Sequence, residues 1–430
     1  MAAALLSCSR TEVSGNGTAS STSSFRPVYE DYFTTERLRT DIIFAGDSDN
    51  LSCYFDAAYK EPRWSGSPDF LIDTTLYGTY YYEVFSGDTL IFSNGFAPLF
   101  DEWRTTEQAR TLPMASGHAL WMPFPKRPVE IVLYQRERAT GRFQPLLSFN
   151  LDPTDRHIIS GAQNNYPVSK LIYNGDPSRK LDIVLAAEGY TLEQMPKFRA
   201  DCRRLADYFL SMEPYKSRGD DINFWMVESP SAESGVDIPQ AGQWRQTAMD
   251  SGFDTFYTDR YLTIQDHRKI ASVVSGAPFD AILVVANETK YGGGGFYNSY
   301  AIGTSGNRFT EEVWIHEFGH SFAGLGDEYY DSEVAVEDFY PAGIEPWEPN
   351  ITNLTDFASK WQDMLPEEYE GILPNDASYI DTLGLFEGAG YMTYGCYRPY
   401  LECRMLNNTA EGFCPVCRRA ISRAIDRYSK

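Results

Sequence analysis

The run His316-Glu317-Phe318-Gly319-His320 brings two imidazoles and a carboxylate together within five residues. On a helix, positions four apart share a face, so His316 and His320 can hold one metal ion between them. Glu317 stands about 100° off that face and can reach a metal-bound water as a general base. Gly324 suits the helix end, because the left-handed conformation found there costs glycine little. The chain can then turn and return Asp327 as a third ligand, which leaves a fourth position for water. Such a set performs hydrolysis. The plain alternative is a helix with two hydrogen-bonded histidines. Against it stands the scarcity of histidine, five in 430 residues. Thr310-Glu-Glu-Val-Trp-Ile also reads as a helix start, with acidic residues first and apolar ones behind the site. Other carboxylates compete for the third position: Glu328 is adjacent, and Glu333 or Glu337 could serve from a second helix.

Positioning these groups requires an ordered scaffold. Leu181–Glu188 is a buried-strand run, Thr191–Met212 has helical apolar spacing, and Ile222–Val227 is a second strand. Asp266–Val274 reads as another helix, and the run from Phe279 is a third strand. Alternating strands and helices predict an α/β layer with a parallel or mixed sheet. Tyr291-Gly-Gly-Gly-Gly-Phe296 lacks the order of a phosphate loop and reads as a flexible turn into a strand. That strand could be an edge that pairs with an extended peptide, or a plain hairpin. A short helix is expected at Ala358–Met364 and a terminal helix from Pro415.

Upstream, residues 27–165 read as an all-β sandwich. The runs at Asp41–Ala45, Thr79–Phe85, Thr89–Phe92 and Val129–Tyr134 are β-branched and aromatic, and turn clusters separate them. His118 and His157 look isolated there. The expected fold is therefore α+β and multidomain: residues 1–26 a tether, 27–165 the sandwich, 166–430 the domain carrying the histidines.

Net charge is −23, from 60 acidic and 37 basic residues. That leaves no cationic surplus to neutralise phosphates and argues against a nucleic-acid partner. Met1-Ala-Ala-Ala-Leu-Leu-Ser-Cys8 resembles the end of a bacterial lipoprotein signal, in which the cysteine is lipidated. A Ser/Thr/Gly-rich stretch to Ser24 would then act as the tether. The expectation is an exported protein whose only membrane contact is this lipid. Four further cysteines, Cys396, Cys403, Cys414 and Cys417, lie near the C-terminus. The plainer reading for an exported chain is one or two local disulfides; a second metal site or a redox pair are the alternatives.

His-Glu-x-x-His, a glycine, and a third ligand three residues later resemble the metzincin zinc peptidases. One extra residue before Gly324, and Asp327 in place of a histidine, depart from the common pattern. His-Glu-Phe-Gly-His-Ser-Phe-Ala-Gly-Leu-Gly-Asp-Glu-Tyr is similar to the IgA-peptidase family, from about residue 165 to the end. The β-rich segment before it looks like that family's N-terminal domain. The resemblance implies a Zn2+-dependent metalloendopeptidase acting on protein or peptide substrates, with a metzincin-like fold. It also implies a methionine turn under the metal, at Met405 in preference to Met392, and a tyrosine that stabilises an oxyanion, at Tyr329, Tyr330 or Tyr394. Two rivals remain: a surface-tethered binding protein or adhesin with an idle zinc site, and an amidase acting on cell-wall peptide.

Overall fold

The computed structural model describes residues 26–330, 340–369 and 371–429. Cys8 with its tether, Glu333 and Glu337 lie outside the described residues. The chain opens with one turn, α1 (Tyr29–Tyr32), then β1 (Phe33–Gly46), β2 (Leu51–Glu61), β3 (Tyr80–Ser86) and β4 (Thr89–Phe96). The short α2 (Leu99–Trp103), β5 (Met114–Pro125), β6 (Val129–Arg136), β7 (Phe143–Leu151) and β8 (Ile159–Ser160) follow. They form two four-stranded sheets, in the orders β5-β1-β2-β8 and β4-β3-β6-β7. Because side chains alternate along a strand, each sheet offers one apolar face. Leu38, Ile42, Phe44 and Leu120 of the first sheet share a buried cluster with Tyr80, Val84, Ile131 and Leu133 of the second. Patterning alone misses β2, β5 and β7, because each mixes polar, glycine or proline residues into its apolar run.

The second part is built from β9 (Val168–Ile172), β10 (Leu181–Glu188), α3 (Met195–Phe209) and β11 (Ile222–Val227). It continues through β12 (Ser251–Gly252), β13 (Thr263–Ile264), α4 (His267–Val274), β14 (Ala281–Ala286), β15 (Gly293–Phe296) and β16 (Tyr300–Thr304). It ends with α5 (Thr310–Ala323), β17 (Phe386–Ala389), β18 (Met392–Arg398) and α6 (Pro415–Asp426). Six of these strands form one mixed sheet, β15-β16-β14-β10-β11-β9, parallel in the middle with an antiparallel strand at each edge. Strand β10 is buried on both faces. Ile183 and Leu185 pack with Phe198 and Leu205 of α3 and Phe318 of α5, and Val184 and Ala186 pack with Ile270 and Val274 of α4. The molecule is a multidomain α+β protein. No helix among the described residues is long and apolar enough to cross a membrane.

Buried charge joins the two parts. Arg37 and Arg39 of β1 are almost fully buried, paired with Glu61 and Asp41 at 2.6 Å. The Arg37 guanidinium also donates to the Ser275 carbonyl at 3.2 Å, and that of Arg39 to Ser272 Oγ at 3.2 Å. These cations complement the C-terminal end of α4, where helix carbonyls lack partners. His118 of β5 is not isolated: it stacks on His267 of α4, ring centroids 4.2 Å apart. His157 is exposed.

Three expectations change. The four glycines do not form a flexible turn; β15 begins at Gly293, and the turn follows at residues 297–299. Glycine is required there by close approach to α5. A Cβ on Gly295 would sit 2.3 Å from the Glu317 carbonyl oxygen, and one on Gly293 2.9 Å from Glu317 Cγ. The edge is also partly covered, because Tyr261 bridges Gly293 and Leu262 N–H donates to its carbonyl at 3.3 Å. The short helix expected near Ala358 is two 3-10 turns, Phe357–Ser359 and Gln362–Met364. Finally, the six described cysteines are all free thiols, not disulfides. Cys396 packs beside Met392, Sγ to Sδ 3.6 Å, away from the other three.

Candidate metal centre

Helix α5 carries Glu311 and Glu312 in its first turn and closes on Gly324, whose φ is 64°. Gly324 and Leu325 donate their N–H groups back to His320 and Gly319, both at 3.1 Å. The chain then reverses. Asn350 grips the returning segment, accepting from Gly326 N–H at 2.8 Å and donating to its carbonyl at 2.9 Å. Asp327 is thereby laid against the two histidines.

The resulting triangle is tight. His316 Nε2 and His320 Nε2 are 3.0 Å apart, and Asp327 Oδ1 lies 3.1 and 3.3 Å from them. His316 Nδ1 faces the Arg404 carbonyl at 3.0 Å and His320 Nδ1 the Leu325 carbonyl at 2.5 Å. A carbonyl can only accept, so both Nδ1 atoms donate. In the neutral imidazoles the Nε2 lone pairs then point at each other and at a carboxylate oxygen. Asp327 Oδ1 is buried and has no hydrogen-bond partner. Three converging lone pairs repel unless a proton or a metal cation lies among them. Against the opposing pull of burial, the Asp327 carboxylate raises the His320 imidazole to about 9, so a proton can take that place when no metal is bound. The spacing fits a metal: ligand bonds of 2.0–2.1 Å in a tetrahedron give edges of about 3.3 Å. The residues present therefore fit a bound divalent metal.

Glu317 lies beside this triangle, against Gly293 and Gly295. Burial raises its carboxyl above the ordinary carboxylate range, and the neighbouring His316 and His320 offset part of that rise. Beneath the helix, Met405 Sδ is 2.9 Å from where a Gly319 Cβ would stand, whereas Met392 packs elsewhere in the β17–β18 hairpin. The segment bearing Met405 also holds His316 and the returning chain in place. Its Arg404 carbonyl accepts from His316, and the Met405 carbonyl accepts from Glu328 N–H at 2.9 Å.

A cleft between the two parts of the molecule exposes these groups. Glu102 from the β-rich part and Arg260, Tyr261, Tyr329 and Tyr391 line it around His316, Glu317, His320 and Asp327. Burial pushes the Glu102 carboxyl up to about 7, and Tyr261 donates to it at 2.5 Å. Of the expected tyrosines, only Tyr329 is brought here, its ring parallel to His316 with centroids 6.5 Å apart. Tyr330 packs instead against Gly388 and Arg398. Tyr394 is 74% exposed on β18 and does not line the cleft. Sequence reasoning passes over Tyr391, whose hydroxyl donates to Asp327 Oδ2. Its backbone φ is 65°, and its N–H donates to the Tyr329 carbonyl at 3.0 Å. The glycines at 388 and 390 were the available sign of a sharp hairpin that could present it.

Two family models match the chain. One, described as IgA Peptidase M64, covers residues 170–374 and 366–425; the other, Peptidase M64 N-terminus, covers residues 28–146. No curated relative matches.

Proposed function

We propose that this chain, which belongs to the IgA peptidase M64 family and is a metallopeptidase, is a zinc-dependent endopeptidase that cuts proteins outside the cytoplasm. One observation carries the reading: His316, His320 and Asp327 aim three lone-pair donors at one point on the floor of a cleft, with Glu317 alongside. These three residues would hold zinc, which would supply Lewis acidity to a carbonyl and to a water.

The remaining work falls to side chains. Glu317 takes the proton of the attacking water on a carboxylate oxygen and passes one to the leaving amine. Its raised proton affinity suits that exchange. Tyr391 fixes Asp327 by its hydroxyl, and Tyr329, which lines the cleft, is the candidate donor to an oxyanion. Met405 fills the position of a metzincin-like methionine floor, and the two N-terminal sheets are read as a sandwich forming the opposite wall. The lipoprotein-like run ending at Cys8 is the basis for an exported, lipid-anchored location, with extracellular glycoproteins or immunoglobulins as the substrate class.

The test combines metal analysis with digestion of casein and of secreted glycoproteins, with and without chelator. Hydrolysis should require the metal, and Glu317→Ala should keep the metal while turnover falls about 10²–10⁴-fold. Normal cleavage by that variant removes Glu317 as the base. A metal-loaded protein that cuts no protein substrate favours the binding role.

A further inference from the structure

A second convergence of ligating atoms lies outside the cleft lining. Glu328, Cys403, Cys414 and Cys417 are all buried, each at most 2% exposed. Each offers one ligand atom within 4.8 Å of the others. Cys403 and Cys417 Sγ are 3.7 Å apart, and Glu328 Oε1 is 3.2 Å from Cys417 Sγ and 4.0 Å from Cys414 Sγ. A tetrahedral ion with sulfur at about 2.3 Å and oxygen at about 2.0 Å has S–S edges of about 3.8 Å and S–O edges of about 3.5 Å. The observed distances scatter around those edges. Glu328 supplies an independent sign. It is wholly buried, its Oε1 accepts from Asn350 at 3.0 Å, and its Oε2 has no hydrogen-bond partner. A wholly buried carboxylate left with an unpartnered oxygen is costly unless a cation meets the group, and its Oε1 faces the thiols, where an ion would reach it. Cys414 also caps the N-terminus of α6, where the helix dipole favours a thiolate.

We propose that Glu328, Cys403, Cys414 and Cys417 hold a second divalent metal in a closed, structural site. Three thiolates select a soft or borderline ion, zinc foremost, and four protein ligands leave no position for water. Binding displaces the thiol protons, so the site loads as thiolates. The location gives the ion a task. Glu328 follows Asp327, and Cys403 precedes Arg404 and Met405, which orient His316 and floor α5. Cys414 and Cys417 open the terminal helix. One ion therefore pins the third-ligand segment, the methionine segment and α6 together.

The full chain, purified without chelator, should carry two zinc ions by elemental analysis. His316→Ala/His320→Ala should retain one. Cobalt loaded into that variant should show thiolate-to-cobalt charge-transfer absorption, and Cys403, Cys414 and Cys417 should react with a thiol reagent only after chelation. Cys414→Ser/Cys417→Ser should lose the same equivalent; if it fails to fold, the histidine variant decides alone. A histidine variant without metal, cobalt lacking the thiolate band, or a native disulfide among the three cysteines found by mass spectrometry overturns the proposal. None of these readouts depends on peptidase turnover, so failure here leaves the cleft assignment standing.

Discussion

Four of the five histidines form two pairs, and the pairs are built for opposite ends. His118 and His267 lie nearly parallel, centroids 4.2 Å apart and planes 23° apart, among Phe96, Trp121 and Tyr300. His316 and His320 are edge to face at 83°, with centroids 4.7 Å apart. In the first pair, Ala119 N–H donates to His267 Nδ1 at 3.2 Å, so that nitrogen's lone pair is already engaged. In the second, each Nδ1 donates to a carbonyl, which leaves Nε2 bare. A carboxylate meets the second pair; burial against aromatic rings surrounds the first. Proximity of two imidazoles therefore decides nothing. The hydrogen bond on the other ring nitrogen, and the presence of Asp327, separate a set that could hold a metal from a packed junction.

The largest test of this contrast removes the carboxylate. Asp327→Ala should lose the cleft metal and bring hydrolysis to background, read by elemental analysis and peptide digestion. An active, metal-loaded variant would mean that the two imidazoles alone define the site. A finer probe is Tyr391→Phe, which leaves Asp327 in place but frees its second oxygen. Metal affinity should fall about 10–100-fold, measured by chelator competition; an unchanged affinity would deny Tyr391 its orienting role. The smallest effect concerns the other pair. Burial, aided by Arg39 and only partly opposed by the Ser299 backbone and Asp266, lowers the His267 pKa to about 3, and burial beside His267 holds His118 well below its ordinary value. In the unfolded chain both take protons near 6.5. The unfolded state thus binds more protons in this window. Stability is complete above about pH 6.5 and declines as pH falls toward 3, by about 1.4 kcal/mol per pH unit for each histidine. Thermal unfolding across pH 7 to 5 measures the slope, and His118→Phe should reduce it. A flat profile would mean that these rings are not kept neutral by burial.

Local spacing made one of these pairs legible. His316, Glu317 and His320 sit within one helix, and Gly324 marks its end, so the geometry follows from a few adjacent residues. The strands β10 and β11 were legible for the same reason, being uninterrupted apolar runs. What the sequence hid depends on partners far along the chain. Tyr391 reaches Asp327 across 64 positions through a left-handed backbone turn. His118 and His267 meet only because strand β5 packs against helix α4, about 150 positions further along the chain. Glycine misled in a different way: at positions 293 and 295 it reports crowding by α5 rather than freedom of the chain. The cysteines misled because their spacing is equally compatible with cross-links, with a metal site and with separate thiols.

That glycine-lined strand limits how the enzyme can diversify. Beside Glu317 the cleft wall is bare main chain, and a carbon added at Gly293 or Gly295 collides with the helix that carries Glu317. Selectivity for one substrate over another cannot be rewritten at this wall. It has to be drawn from the rest of the lining, where the N-terminal part and the hairpin around Tyr391 present side chains rather than bare main chain.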